Sequence, residues 1–309
     1  MKQNQLHITN GDVLTNYLND SGYQGSILTW HEMLCEGPTK VDITSEEFFN
    51  VRADFFDKTY NVDLDIDAFK NEISKLDSVK NVSEIVLWFE YDLFCHINLV
   101  AVISLIKQKK IKLPISLVCS GRVSGSKNLK GLSELSSEQL THHYKNRIKL
   151  NYEDIELAET IWQIYNGKDH NLFKPFIIKS SSFDYLSNCL KAHLKRFPDS
   201  KSGLSTIESN ILEIIDKNPI KSKHHLLGYA LNYQGFYGFG DMQLNRIINQ
   251  LSFFYTQTET EIKLNRKGYE ALLRQYNFSS EINDKSTFGG VKKLDFQFSK
   301  QENKLVKTI

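Results

Sequence analysis

The chain has 309 residues, 40% of them hydrophobic, enough to bury a substantial core and build about two domains. Lysine and arginine number 38 against 37 acidic residues, so a net charge of +1 supplies no electrostatic footprint for a polyanionic partner. Cys35, Cys95, Cys119 and Cys189 lack Cys-x-x-Cys spacing, which argues against a structural zinc site and a disulfide framework and favours free thiols in a reducing compartment.

No run approaches the roughly 18 apolar residues that a membrane helix needs, and the first residues lack the apolar stretch of a secretory signal. The expected location is the cytoplasm, with no membrane partner.

In chain order, residues 5–10 alternate apolar and polar and end in Gly11-Asp12, after which Val13, Leu14, Tyr17 and Leu18 repeat at helical spacing. Residues 26–30 form a second strand, closing a β-α-β unit that favours parallel pairing. Residues 44–80 read as helical. The near-continuous apolar run at 84–89 suits a central strand buried on both faces. Asp92 then stands at a helix N-cap, the following helix ends in Lys107–Lys110, and a fourth strand covers 115–119.

Beyond the Gly/Ser/Lys-rich loop at 121–131 helices dominate. Capping-box patterns open helices at Ser136 and Ser205, and residues 198–203 are the best candidate linker. Between 203 and 275, three helical stretches and a β-prone stretch follow one another, the order of a winged helix. The predicted organisation is therefore an α/β domain at 1–130 with a parallel sheet of about four strands and flanking helices, a helical region at 131–200, a winged-helix-like module at 201–275, and a polar tail at 276–309 that either adds one strand or hangs free.

Four ordered stretches carry a resemblance: Leu6–Asp12 (LHITNGD), Trp30–Pro38 (WHEMLCEGP), Leu87–Leu93 (LWFEYDL) and Gly131–Leu135 (GLSEL). Together they resemble family 1835 of the domains of unknown function. The similarity extends to Gly203–Glu208 and to Gly240-Asp241, and so covers most of the chain. It implies architecture and no particular chemistry.

In an open parallel sheet, ligands bind at the carboxyl ends of the strands. That rule selects Asn10, Gly11 and Asp12 after the first strand, His31 and Glu32 after the second, Glu90 and Asp92 after the third, and Ser120 after the fourth. Glu36 in the next loop and Arg52 on the following helix complete the candidate set. Asp12, His31, Glu32, Glu90 and Asp92 are the candidate catalytic residues; Asn10, Gly11, Glu36, Arg52 and Ser120 are candidate ligand contacts. Carboxylates converging on one crevice would hold a magnesium-type divalent cation, or divide acid and base roles between groups of different pKa. The metal set itself stays unknown.

Each residue also has a plainer reading. Asp12 and Asp92 serve equally well as N-caps, a role worth about 1 kcal/mol. Gly11 answers a tight turn, since one glycine is far short of a dinucleotide fingerprint. Arg52 is equally a solvated or salt-bridged helix residue. His7 reads as a buried, hydrogen-bonded structural histidine, and the pairs His142-His143 and His224-His225 as surface residues.

The Gly235–Gly240 loop displays Phe236, Tyr237 and Phe239 with almost no flanking cations, unlike a nucleic-acid stacking platform. Residues 203–275 hold eight lysines and arginines against seven acids, a net +1, and the would-be recognition helix carries only Arg246. DNA is thus a weakly supported partner, with a protein contact at those aromatics as the rival. The leading expectation is an intracellular α/β ligand-binding protein, with an enzyme acting on a phosphorylated or nucleotide-like small molecule as its sharper form. The alternative is a ligand-sensing regulator or interaction adaptor.

Overall fold

The computed structural model describes residues 4–126 and 128–308. Met1–Gln3, part of the segment read for a secretory signal, and Lys127 of the polar loop lie outside the described residues. The apolar run Glu84–Phe89 (β4) is central, as its composition requires. It pairs in parallel with Gln5–Asn10 (β1) on one side and Ile115–Cys119 (β5) on the other. Ser26–Trp30 (β2) extends the sheet beyond β1 in parallel, while Ile148–Lys149 adds one short antiparallel edge beyond β5. The protein is a mixed α/β fold with a mostly parallel sheet and flanking helices.

Alternate residues of β4 face opposite layers, because successive strand side chains point to opposite faces. Val86 and Trp88 pack with Leu14 and Leu18 of helix Asp12–Asp20 (α1) and with Leu140 of a later helix. Ile85, Leu87 and Phe89 face the larger core. That core includes Phe48 of Glu46–Tyr60 (α2), Phe69 of Ile66–Ser74 (α3), and most of Leu93–Gln108 (α4). Helix α4 is buried almost all round, which accounts for its apolar sequence on every face.

The helical region follows with Ser137–Lys145 (α5, opened by the expected Ser136 capping box), Tyr152–Tyr165 (α6), the single turn Lys174–Ile177 (α7) and Leu186–Leu194 (α8). Then come Thr206–Lys217 (α9), Lys223–Tyr233 (α10) and Asp241–Gln250 (α11). After them, the third strand by chain order being the two-residue Gly37–Pro38 (β3) and the sixth the Ile148–Lys149 edge (β6), Tyr255–Gln257 (β7) and Ile262–Leu264 (β8) form an antiparallel hairpin. Ile220 bridges to Ile262, and Arg266–Leu272 (α12) closes the segment.

Two expectations about the second half need correction. The supposed linker is a packed turn: Asp199 and Ser202 are buried, Asp199 accepts two hydrogen bonds of 2.9 Å from Arg274, and Phe298 donates its amide to Pro198. Its Pro/Ser/Gly composition reflects turn geometry rather than mobility. Nor does the tail hang free or add one strand alone. After the short helix Ser279–Ile282 (α13), Thr287–Gly289 (β9) pairs in parallel with β3 and antiparallel with Val291–Lys292 (β10), and Phe296–Ser299 (β11) pairs with Lys304–Lys307 (β12). Lys293 is buried between Glu208 and Asp284, at 2.5 and 2.6 Å. One apolar core runs from Leu6 to Leu305.

Candidate functional site

The strand order β2-β1-β4-β5 places the topological switch point between β1 and β4, since the chain leaves β1 in one direction and later returns on its other side. All the strand ends singled out in the sequence lie along this edge of the sheet. The side chains there fall into two classes: those that hold the fold together and those that stay free.

Glu32 and Arg52 belong to the first class. Both side chains are fully buried, and Arg52 Nη2 donates to Glu32 Oε2 at 2.8 Å, while Nη1 donates to the carbonyl of Glu36 at 2.6 Å. A planar guanidinium that satisfies a carboxylate and several loop carbonyls at once fixes the path of residues 32–38. Of the two plainer readings of Arg52, the solvated one is therefore corrected and the salt-bridged one found: Arg52 is a buried loop anchor. Glu36 is also buried. Its carboxylate accepts from Tyr60 Oη on α2 and, at 2.6 Å, from Arg246 on α11.

Glu90 accepts the amide of Leu132 at 2.7 Å and packs against Gly131, so it caps the turn that follows the polar loop. Burial pushes its carboxyl up, against the opposing effect of those amides. Asp92 is the N-cap of α4, accepting the Cys95 amide at 2.8 Å. It lies sealed beneath Gly238, where a Cβ would fall 2.1 Å from its carboxyl carbon. Burial lifts it to about 7. Asn10 bonds Asn98 and approaches Cys95 Sγ at 3.2 Å. Asn98 in turn accepts the amide of Leu34 and donates to the carbonyl of Glu32.

The four carboxylates Asp12, Glu32, Glu90 and Asp92 consequently do not form one acidic crevice. Glu32 is neutralised by Arg52, and Asp12 lies on the exposed surface. Glu90, Asp92 and Cys95 do place ligand-type atoms within 4.8 Å of one another. Two of the three already satisfy backbone amides, however, and Asp92 is held toward its neutral form, so we read them as caps. Burial pushes all four cysteine thiols upward, which removes the thiolate that nucleophilic chemistry needs.

Asp12, His31, Gly11 and Ser120 have no side-chain role in anchoring these loops among the described residues. The N-cap of α1 is Gly11, at φ 91°, rather than Asp12, because the turn after β1 requires a left-handed backbone. Asp12 becomes the first helical residue, and its carboxylate accepts from His31 Nε2 at 2.8 Å, with side-chain exposures of 70% and 44%. A Cβ at Gly11 would meet nothing within 4 Å, and no side chain caps this helix. The Ser120 hydroxyl is buried without a hydrogen-bond partner among the described residues and lines a cavity of about 680 Å³ at the end of β5.

Of the other sequence candidates, His7 is the structural histidine expected. It is fully buried and accepts from Trp88 Nε1 at 3.0 Å. The surface role for the aromatic loop is corrected: Tyr237 and Phe239 are buried, and the carbonyls of Phe236 and Tyr237 accept the first amides of α4. Only Phe236 is partly exposed, beside Tyr91 and Tyr185. Sequence reasoning missed Tyr60, Asn98, Arg122, Tyr185 and Gly238. Arg246, noted as the one arginine of a helix expected to bind DNA only weakly, is paired with Glu36.

Fold and site define a mixed α/β protein whose parallel strands present a polar carboxyl edge. No protein-family model matches the chain, and no curated protein matches it. No helix of the described residues is long and apolar enough to cross a membrane.

Proposed function

We propose that this protein binds a phosphorylated or nucleotide-like small molecule at the carboxyl edge of the sheet and acts on it with Asp12 and His31. The observation that carries this reading is the exposed Asp12–His31 pair at 2.8 Å, set beside an open glycine turn. With Nε2–H directed at Asp12, His31 Nδ1 is an acceptor. It can take the proton of an attacking hydroxyl, of water or of a second substrate, while Asp12 holds the ring and stabilises the imidazolium that forms. The uncapped amides at the start of α1 offer an anion the favourable end of the helix dipole.

The ordered stretches that resemble domain-of-unknown-function family 1835 supply the residues of this edge, and membership of that family is part of the same proposal. The three helices and hairpin between 206 and 264, with the Ile220 bridge, have the order of a winged helix. We read this module as a support for the α/β domain, because Gln243 and Arg246 of α11 contact Met33 and Glu36. Helix α11 is then not available to a DNA groove.

The test is release of inorganic phosphate from a panel of nucleoside phosphates and sugar phosphates. Turnover of at least one class is expected, with His31→Gln lowering it by about 100-fold or more. Turnover undiminished in His31→Gln, or no substrate in either class, overturns the proposal.

A further inference from the structure

Strand β6 pairs with β5 at Ser116 and Leu117, and among the described residues the outer edge of β5 beyond Leu117 has no strand partner. Two cavities of about 680 and 540 Å³ open at this end, and Arg122, Val123, Ser124 and Tyr185 line both. Each has the size of a small-molecule site. The wall between them is fixed. Tyr185 Oη accepts the Arg122 amide at 2.9 Å, and a Cβ at Gly121, whose φ is +155°, would lie 2.1 Å from that oxygen.

Two polar groups in this trough have no internal explanation. The Ser120 hydroxyl is buried and has no hydrogen-bond partner among the described residues, although buried polar groups are normally satisfied. The exposed Arg122 guanidinium makes no hydrogen bond or ion pair among the described residues, whereas Arg147 nearby is paired with Glu84 at 2.9 Å. Among the described residues lining the two cavities, Asp184 is the only acid. The trough therefore favours an anion.

The smaller cavity adds aromatic surface. Tyr185 and Phe236 both line it, with ring centroids 6.5 Å apart, and Tyr91 packs beside them at 5.9 and 6.2 Å. An inorganic anion would leave these rings without a partner, and an uncharged ring would leave Arg122 unpaired. We infer that the trough binds a nucleoside monophosphate, with Arg122 and the Ser124 hydroxyl on the phosphate and the base against Tyr185 and Phe236. This inference rests on the reading of the ligand as phosphorylated and nucleotide-like, and it gives that class of ligand a second place on the edge, across β4 from the Asp12–His31 pair.

Isothermal titration of the full chain with adenosine 5′-monophosphate, adenosine and inorganic phosphate separates the contributions. The monophosphate is expected to bind at least about tenfold more tightly than either fragment, and Arg122→Ala to weaken it by about tenfold. Asn188→Trp, which fills the smaller cavity, is expected to abolish binding while leaving the unfolding midpoint close to that of the wild type. Monophosphate affinity unchanged in both variants overturns the trough assignment and leaves the Asp12–His31 proposal to its own phosphate-release test. No binding of the monophosphate overturns the ligand class as well.

Discussion

Arg246 and Glu36, 210 residues apart, meet at 2.6 Å, and this pair ties α11 to the loop that follows β2. Tyr60 completes the contact; burial raises its phenol well above the usual range, Glu36 adds to that, and Arg246 opposes it. The Arg246 side chain keeps 24% exposure, against 5% for Glu36. Arg246→Ala is expected to lower stability by about 2 kcal/mol, below the roughly 3–5 kcal/mol of a fully buried pair. Urea unfolding of the full chain measures it. In a gel shift at low salt, duplex DNA is expected to form no tight, salt-sensitive complex; such a complex, weakened by Arg246→Ala, would contradict the supporting role given to α11.

Glu32 and Arg52 offer a stricter case, since neither side chain has any exposure. Removing one partner leaves the other charged and buried, so Glu32→Gln and Arg52→Met are each expected to cost about 3–5 kcal/mol. The double variant is expected to be less damaging than the sum of the two. Additive losses in urea unfolding would show that the pair is not coupled.

Stability should depend on pH in two opposed ways. Burial lowers His7, lowers His96 and His170 to about 4 from 6.5, and lowers His193 well below 6.5. Between those values the unfolded chain binds more protons than the folded one, so stability rises with pH and is lost as pH falls through the folded pKa. Asp92 runs the other way: raised from 3.8 to about 7, it binds more protons when folded, and stability falls as pH rises through that window. Asp92→Asn keeps a capping oxygen and is expected to gain stability relative to wild type at pH 8 compared with pH 5. An unchanged difference between the two pH values would show that Asp92 is not held toward its neutral form.

Much of the fold was legible because it rests on local signals. The apolar run at 84–89, the Asp92 cap and the capping boxes at Ser136 and Ser205 are all found as read. The site was less legible because its acids are matched over long separations. Nothing local in Glu36 announces Arg246, and Glu32 meets Arg52 only once the intervening loop has folded. Asp12 and Asp92 look alike in sequence, but the left-handed backbone at Gly11 moves the cap by one residue and frees Asp12. The extra strands of the polar tail were not legible because β9 pairs with two residues of β3 and two of β10, too few to leave a strand pattern.

Gly238 sits at φ +67° directly against Asp92. An alanine there would combine backbone strain with a clash, and Gly238→Ala is expected to cost about 2 kcal/mol or more. Because the loop satisfies the amides of Leu93 and Phe94, hydrogen exchange at those two amides is expected to accelerate most. Unchanged exchange would mean that the loop does not cap α4 in solution.

Glu90 and Asp92 already accept backbone amides, so millimolar magnesium, manganese or calcium alone is expected to produce no resolvable thermal shift. A clear upward shift, lost in Glu90→Gln, would restore the cation reading of this cluster.

The claim that the carboxyl edge of the sheet is the ligand site is tested most directly by mapping amide chemical shifts of the full chain during titration with adenosine 5′-monophosphate. Saturable perturbations are expected at Gly121, Arg122, Ser124 and Asn188, with smaller ones at Gly11 and His31 on the same edge. Perturbations confined to the separate groove lined by Ile177, Ile178, Leu194 and Phe298, or none at saturating nucleotide, would contradict it.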